Sequence, residues 1–253
     1  MSPVKAAPLD PASLAARLQG AGAKAGFRST SFGEAGGVPL IALTKRTPGP
    51  RPRIYLSAGI HGDEPAPPLA LLSLIESGLF DARAVWFLCP MLNPEGLARG
   101  TRESAAGTDL NRDYRHLESP EVRAHVHWLR SQPNFDLAVC VHEDWESTGF
   151  YLYELNRGTR PSLAEPIIAA VSRVCPIDQS PVIEGREAKG GIIRPTGSPF
   201  EREKWPESIY LQANHTRLSY TIEAPSALAL EIRIAALRAA LETAIGLTAG
   251  RKA

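Results

Sequence analysis

Hydrophobic positions along this chain follow two patterns that alternate with each other: short, nearly unbroken apolar runs, and longer stretches with apolar residues three or four apart. The runs "VPLIALTKR" (38–46), "RIYLSAGIH" (53–61), "AVWFLCP" (84–90), "FDLAVCVHE" (135–143) and "LSYTIEA" (218–224) predict strands. Their continuous apolar character is that of a sheet covered on both faces. Weaker strand patterns lie at 150–155 and 180–184. Between them the helical spacing takes over. Leu69, Leu72 and Ile75 mark a helix from Pro65 to about Ser77, and Leu230, Ile234, Leu237, Leu241 and Ile245 mark a final one over about 226–245. Two more helices are expected, from Ser119–Pro120 to about Gln132 and from Ser162 to Val174.

The turn chemistry agrees with these boundaries. Asp10 followed by Pro11 is a helix start, with a capping carboxylate and a proline at the first helical position, and predicts an N-terminal helix over about 10–26. "TPGPRP" ends the strand at 38–46, and "NPEG" ends the one at 84–90. Gly96–Leu117 and Gly185–Pro206 show no clean period; the first reads as a functional loop and the second as a surface loop system. Strands and helices interleave with neither a linker nor a repeat. One α/β domain over 1–253 is expected, its sheet mixed or mostly parallel with helices on both faces.

Composition narrows the function classes. The 253 residues are 43% hydrophobic and 22% charged, enough for a sizeable core, and the formal net charge of +1 gives no footprint for nucleic acid or an anionic membrane. Three scattered cysteines make neither a disulfide framework nor a CxxC metal motif. "MSPVKAAPLDPAS" lacks the apolar segment of a signal peptide, and no run of about 18 apolar residues occurs. A cytoplasmic protein with a small-molecule or peptide partner is the expectation; the oligomeric state is not encoded in any recognisable pattern.

The chemistry sits at the strand ends. His61, Glu64, Asn93, His142 and Glu223 each lie at or just beyond the end of an expected core strand, where open α/β sheets bind ligands. His61 and Glu64 alone fit two readings: a turn histidine with a first-turn glutamate favoured by the helix dipole, or a paired nitrogen and oxygen donor. With His142 from a separate strand, the second reading gives two histidines and one carboxylate, the donor set of a catalytic zinc site with an open position. Glu223 would be costly as an unpaired buried carboxylate, but beside a metal it can move a proton. In "GTRESAAGTDLNRDY", mixed charge is ordinarily a solvated loop. Here an arginine could instead steady developing negative charge, an arginine with an adjacent amide could clamp a carboxylate, and Asp109 could accept the second N–H of a ligand histidine.

In order, "GIHGDE", "NPEG", "GTR", "DLNR", a strand ending in His142, and "YTIEAP" span about 38–245. This set resembles the zinc carboxypeptidase family, and within it the small bacterial branch that includes murein peptide amidases. The resemblance implies an open, mixed, roughly eight-stranded sheet and one Zn2+ held by His61, Glu64 and His142. It implies Glu223 as general base and proton shuttle and Arg102 as the carbonyl-polarising arginine. Asn111 and Arg112 would hold the substrate's terminal carboxylate, and Asp109 would accept from the first zinc histidine. Tyr210 is a candidate, by position only, for the family's substrate-binding tyrosine. "GxHGxE" and "DLNR" are shared with the succinylglutamate desuccinylase and aspartoacylase relatives. The expected function is therefore a zinc metallopeptidase of carboxypeptidase or peptide amidase type acting on a small peptide; the alternatives are an N-acyl amino acid deacylase and a metal-dependent binding protein without turnover.

Overall fold

The computed structural model describes residues 9–250. Asp10 accepts from the backbone N–H of Ala12 and Ser13 and opens α1 (Pro11–Lys24), as the Asp–Pro pair predicts. Leu14, Ala15 and Leu18 of this helix are buried in the main core. Next come β1 (Arg28–Ala35), β2 (Val38–Lys45), β3 (Arg53–Ala58), α2 (Ala66–Glu76), β4 (Val85–Cys89), α3 (Pro94–Arg99), α4 (Pro120–Arg130), β5 (Leu137–Asp144) and β6 (Tyr151–Asn156). The remaining elements are α5 (Ala164–Val171), β7 (Val182–Ile183), β8 (Arg186–Lys189), β9 (Ile192–Ile193), α6 (Glu207–Asn214), β10 (Leu218–Pro225) and α7 (Leu230–Ala249).

The strands form one mixed sheet in the order β1-β2-β4-β3-β5-β10-β6-β9-β8-β7. Its centre, β4-β3-β5-β10, is parallel, and antiparallel strands flank it on both sides. β3 leads through α2 to β4 on one side, while β5 lies on the other, so the strand order reverses between the ends of β3 and β5. That reversal opens a crevice at the carboxyl ends of the strands.

Among the described residues, ten strands stand where roughly eight were expected. β1 escapes the hydrophobic pattern because it is an edge strand whose positions are almost all exposed or half-buried. The stretch read as surface loop over 185–206 carries β8 and β9, only four and two residues long, too short for a period to register. α6 was not anticipated either. "NPEG" does end β4, but it also starts α3: Asn93 Oδ1 accepts from Gly96 N at 2.9 Å and Pro94 takes the first helical position.

Helices cover both faces. α1, α2, α5 and α7 pack on one side against Ile41, Ile54, Leu56 and Val139, and α4 and α6 pack on the other against Tyr55, Phe87 and Ala138. α2 is buried almost all round rather than along the stripe of Leu69, Leu72 and Ile75, because it is wedged between the sheet and its neighbours α1 and α7. α7 follows its expected stripe, with Leu237, Leu241 and Ile245 in the core and Leu230 and Ile234 at its margin. Among the described residues, no helix is long and apolar enough to cross a membrane.

Under α4 lies a buried polar chain. Tyr55 gives its hydroxyl proton to Glu207 Oε1 at 2.7 Å, so its oxygen accepts from His125 Nε2 at 2.9 Å, and His125 Nδ1 takes the Tyr114 hydroxyl at 2.7 Å. Burial, aided by His215, depresses the His125 pKa from 6.5 to about 3. A histidine held neutral stabilises the fold in full above its unfolded pKa, and that contribution fades as pH falls from about 6.5 toward 3. Denaturant titrations should therefore show the parent losing roughly 2–3 kcal/mol more than His125→Asn between pH 7 and pH 4.5. Parallel stability curves for the two proteins would contradict this account.

Candidate active site

The turn after β3 is shaped by close backbone approach. Gly59 sits at φ +65°, and a Cβ at Gly62 would lie 1.9 Å from the carbonyl carbon of Gly96 in α3. Only glycine fits there. Asn93 fastens the same turn through its Nδ2, which donates to the carbonyls of Ile60 at 3.2 Å and Arg102 at 3.3 Å. His61 and Glu64 thus project from a turn that is packed on α3 and roofed by the backbone at Arg102.

β5 supplies the facing wall. His142 turns its ring to Glu64, while Glu143, next along the strand, accepts from Ala66 N at 2.6 Å. α2 has no side-chain cap of its own, so this carboxylate satisfies one of its open N–H groups. Glu143 also pairs with the buried Arg233 of α7. Burial raises the Glu143 pKa to about 7 against the opposing pull of Arg233.

The structure brings His61, Glu64 and His142 into one buried cluster, with a candidate donor atom from each within 4.8 Å of the others. Both rings aim Nδ1 at the same carboxylate: His61 reaches Glu64 Oε1 at 2.5 Å, and His142 reaches Oε2 at 3.0 Å. Burial opposes charge on all three, yet their mutual attraction outweighs it, so Glu64 is held well below the usual carboxylate range and both imidazoles are shifted upward. Electrostatics that hold positive charge on two buried nitrogens suit a dication equally well. Two imidazoles and a carboxylate are an appropriate donor set, and the group could hold one metal ion.

Asp109 occupies the position expected of it. His61 Nε2 meets Asp109 Oδ1 at 3.3 Å, which leaves Nδ1 facing the cluster, and Arg102 Nε donates to Oδ2 at 3.1 Å. Asp109 is held low against its partial burial by His61 and then by Arg102 and Arg112. Arg102 Nη1 lies 3.8 Å from Glu64 Oε1, at the edge of the cluster. Asn111 and Arg112 sit on the single 3-10 turn that Asp109 caps. Asn111 Oδ1 accepts from Glu207 N at 2.9 Å, which leaves the amide Nδ2 as a free donor.

Glu223 lies opposite His142 on one side and Tyr151 on the other in the β10 register. Burial pushes its carboxyl well above the ordinary range; His142 works against this, and the Glu64 charge adds to it. His61, Glu64, Arg102, Asn111, Arg112 and Glu223 all line one cleft of about 840 Å³. Tyr210 does not join them. It lies on the inward side of α6, 6% exposed, with its ring centroid 5.8 Å from that of Tyr114 and 5.9 Å from that of His215. Its neighbours Ser208 and Ile209 face the cleft instead.

Further cleft residues went unread in the sequence. Asp144, Trp145 and Tyr153 line it from the end of β5 and from β6, and Arg186 and Arg202 line it from the irregular 185–206 stretch. The first three could have been suspected from their nearness to His142. Nothing in the local pattern marks the two arginines.

The structure superimposes on a crystal structure described as a putative metallopeptidase from Shewanella amazonensis with a TM-score of 0.82, 24% identity, and coverage of 94% of this chain and 93% of that one. It also matches a metallo-carboxypeptidase from Burkholderia cenocepacia (TM-score 0.67, 21% identity, 91% and 67% covered) and thrombin activatable fibrinolysis inhibitor (0.69, 12%, 97% and 75%). The fold is that of the metallo-carboxypeptidases. Residues 50–157 match the family model of the succinylglutamate desuccinylase/aspartoacylase catalytic domain. Both resemblances drawn from the motifs are thus borne out, the carboxypeptidase one across the whole fold and the desuccinylase one over the segment carrying His61, Glu64, Arg102, Asp109 and His142. No curated protein sequence matches the chain.

The contact between Gly62 and Gly96 gives a test that is independent of catalysis. Gly62→Ala should destabilise the protein by about 3 kcal/mol or more, because backbone cannot yield to the added methyl without displacing α3. Ala at Gly20, where a Cβ meets nothing within 4 Å, should be tolerated. Denaturant titration of both variants provides the comparison.

Proposed function

We propose that this protein is a zinc-dependent amide hydrolase of carboxypeptidase type, cleaving a bond close to a carboxylate of a small peptide or acylated amino acid. The observation that carries the reading is the buried convergence of His61, Glu64 and His142, two of which line the cleft together with Glu223, Arg102, Asn111 and Arg112. When bound, the metal would supply Lewis acidity to the attacking water and to the scissile carbonyl.

The chain's own residues do the rest. Glu223, with a raised proton affinity, accepts a proton from the attacking water and delivers it to the departing amine. Arg102, oriented by Asp109, directs its guanidinium to the carbonyl oxygen as negative charge develops there. Arg112 Nη1 is committed to its neighbour's carbonyl at 2.9 Å; its other N–H groups and the free Nδ2 of Asn111 receive the substrate carboxylate. Asn111 is fixed by its bond to Glu207 N, so this clamp is formed before substrate arrives. Three buried, unpaired cysteines suit a reducing cytoplasmic setting.

N-acyl amino acid deacylation is the second reading, favoured by the family model matched over residues 50–157. It uses the same residues and differs in the acyl side of the substrate. Hydrolysis of short peptides compared with N-acetyl and N-succinyl amino acids by the zinc-loaded protein separates the two.

Glu223→Gln should lower kcat by about 10²–10⁴-fold while zinc content stays at one ion per chain. Turnover equal to the parent would refute the proton-transfer role, and no turnover by the parent on any of these amides would favour a binding protein. His142→Ala should lose the metal, measured by elemental analysis of the purified variant after dialysis.

A further inference from the structure

At the amino ends of β5 and β10 the chain forms a second hollow, of about 750 Å³, that shares no lining residue with the cleft. It is built from 134–136 before β5, 156–160 at the end of β6, and 212–218, which run from the last turn of α6 into β10. Leu218 at its edge and Glu223 in the cleft lie about 17 Å apart along β10.

Charge in this hollow is unbalanced. Arg157, Arg160 and Arg217 line it with one carboxylate, Asp136. Asp136 is already engaged: it pairs with Arg160, and its Oδ2 accepts from Arg53 N at 2.8 Å. Arg157 and Arg217 make no ion pair among the described residues. Leu218 is registered on Asn156, and Arg157 N donates to the Arg217 carbonyl at 2.8 Å, so the two arginines stand opposite each other one step beyond the ladder. Like charges in that relation repel. Arg157 gives one N–H to the Gln212 carbonyl at 3.4 Å, at the C-terminal end of α6, and its guanidinium lies 4.6 Å over the Phe200 ring. The rest of its donors, and all those of the exposed Arg217 side chain, make no bond among the described residues.

Unmet hydrogen bonds mark the same hollow. Gln212 and His215 both line it, at 3% and 7% exposure, yet Gln212 Oε1 and both ring nitrogens of His215 have no partner in the protein. The Gln212 amide is fixed with Nε2 donating to the Leu155 carbonyl at 2.7 Å and to Ser219 Oγ at 3.1 Å, so its oxygen cannot turn to find one. Burial lowers the His215 pKa, which keeps the ring neutral, with one N–H to give and one lone pair to fill. Buried groups of this kind are ordinarily partnered.

We infer that this hollow is a second binding site, for a small molecule that carries a phosphate monoester together with hydroxyl groups. The phosphate lies between Arg157 and Arg217, and a hydroxyl reaches Gln212 and His215. Three guanidinia against one carboxylate leave an excess of two positive charges, which a phosphate monoester near neutral pH comes close to matching, and arginine forks suit its oxygens. The site is independent of the hydrolase reading, since no residue of the cleft takes part.

The test is a titration of the 15N-labelled full chain with ribose 5-phosphate, ribose and inorganic phosphate in about 150 mM salt, followed through backbone amide shifts. Ribose 5-phosphate should give saturable shifts gathered at 134–136, 156–160 and 212–218, with a Kd below about 1 mM. Inorganic phosphate should bind there about 10-fold more weakly, and ribose should not saturate. Arg217→Gln, checked for an unaltered melting temperature, should weaken ribose 5-phosphate by about 10-fold or more, whereas Arg112→Gln in the cleft should leave its Kd unchanged. Shifts confined to the cleft, a response that never saturates, or equal Kd values for Arg217→Gln and the parent would each overturn the site. Inorganic phosphate binding as tightly as the sugar phosphate would overturn the contact assigned to Gln212 and His215.

Discussion

Everything at this site turns on one carboxylate. Glu64 presents an oxygen to each of two imidazoles that arrive from different strands, and all three groups are almost entirely removed from water. A buried carboxylate is costly unless it is paired, so the sheet must bring β3 and β5 side by side with their ends level. The parallel centre of the sheet does this, and the reversal of strand order between the two strands leaves the space in which the groups meet. The close fit of Gly62 on Gly96 then sets the height from which His61 and Glu64 project.

Much of this was legible in the sequence because it depends on local chemistry. Short unbroken apolar runs bounded by turn residues fit strands buried on both faces, and polar residues at their ends are candidates to face one another. His61, Glu64 and His142 were readable for that reason, Arg102 and Asp109 through the loop motifs that carry the family resemblance, and the five meet in the structure. Tyr210 was not readable: choosing it required knowing which side of a helix faces the sheet, and α6 itself had no pattern strong enough to announce it. The strands β8 and β9 were lost for a different reason. Two to four residues cannot display an alternation, and their order comes from pairing with the edge at β6. Arg186 and Arg202, carried on this stretch, reach the cleft only through the tertiary fold.

The two faces of the sheet support the site differently. On one, α2 and α7 bury an apolar mass that fixes the strand ends in place. On the other, the chain from Glu207 through Tyr55 and His125 to Tyr114 is a polar network with its protons assigned, and it holds the start of α6 against Asn111. Rigid hydrogen bonding beneath Asn111 and close apolar packing behind His61, Glu64 and His142 are two routes to one end: donors that are in place before a ligand arrives.

The pairing of Glu143 with Arg233 extends the crevice to the far end of the polypeptide. Glu143 adjoins His142 and caps α2, yet its cationic partner belongs to the C-terminal helix. Removing or unravelling that helix would strand an anion in the interior immediately behind an imidazole of the cluster. Trimming the chain's tail as far as Arg233 is thus a perturbation of the His61–Glu64–His142 cluster, although every residue removed lies outside it.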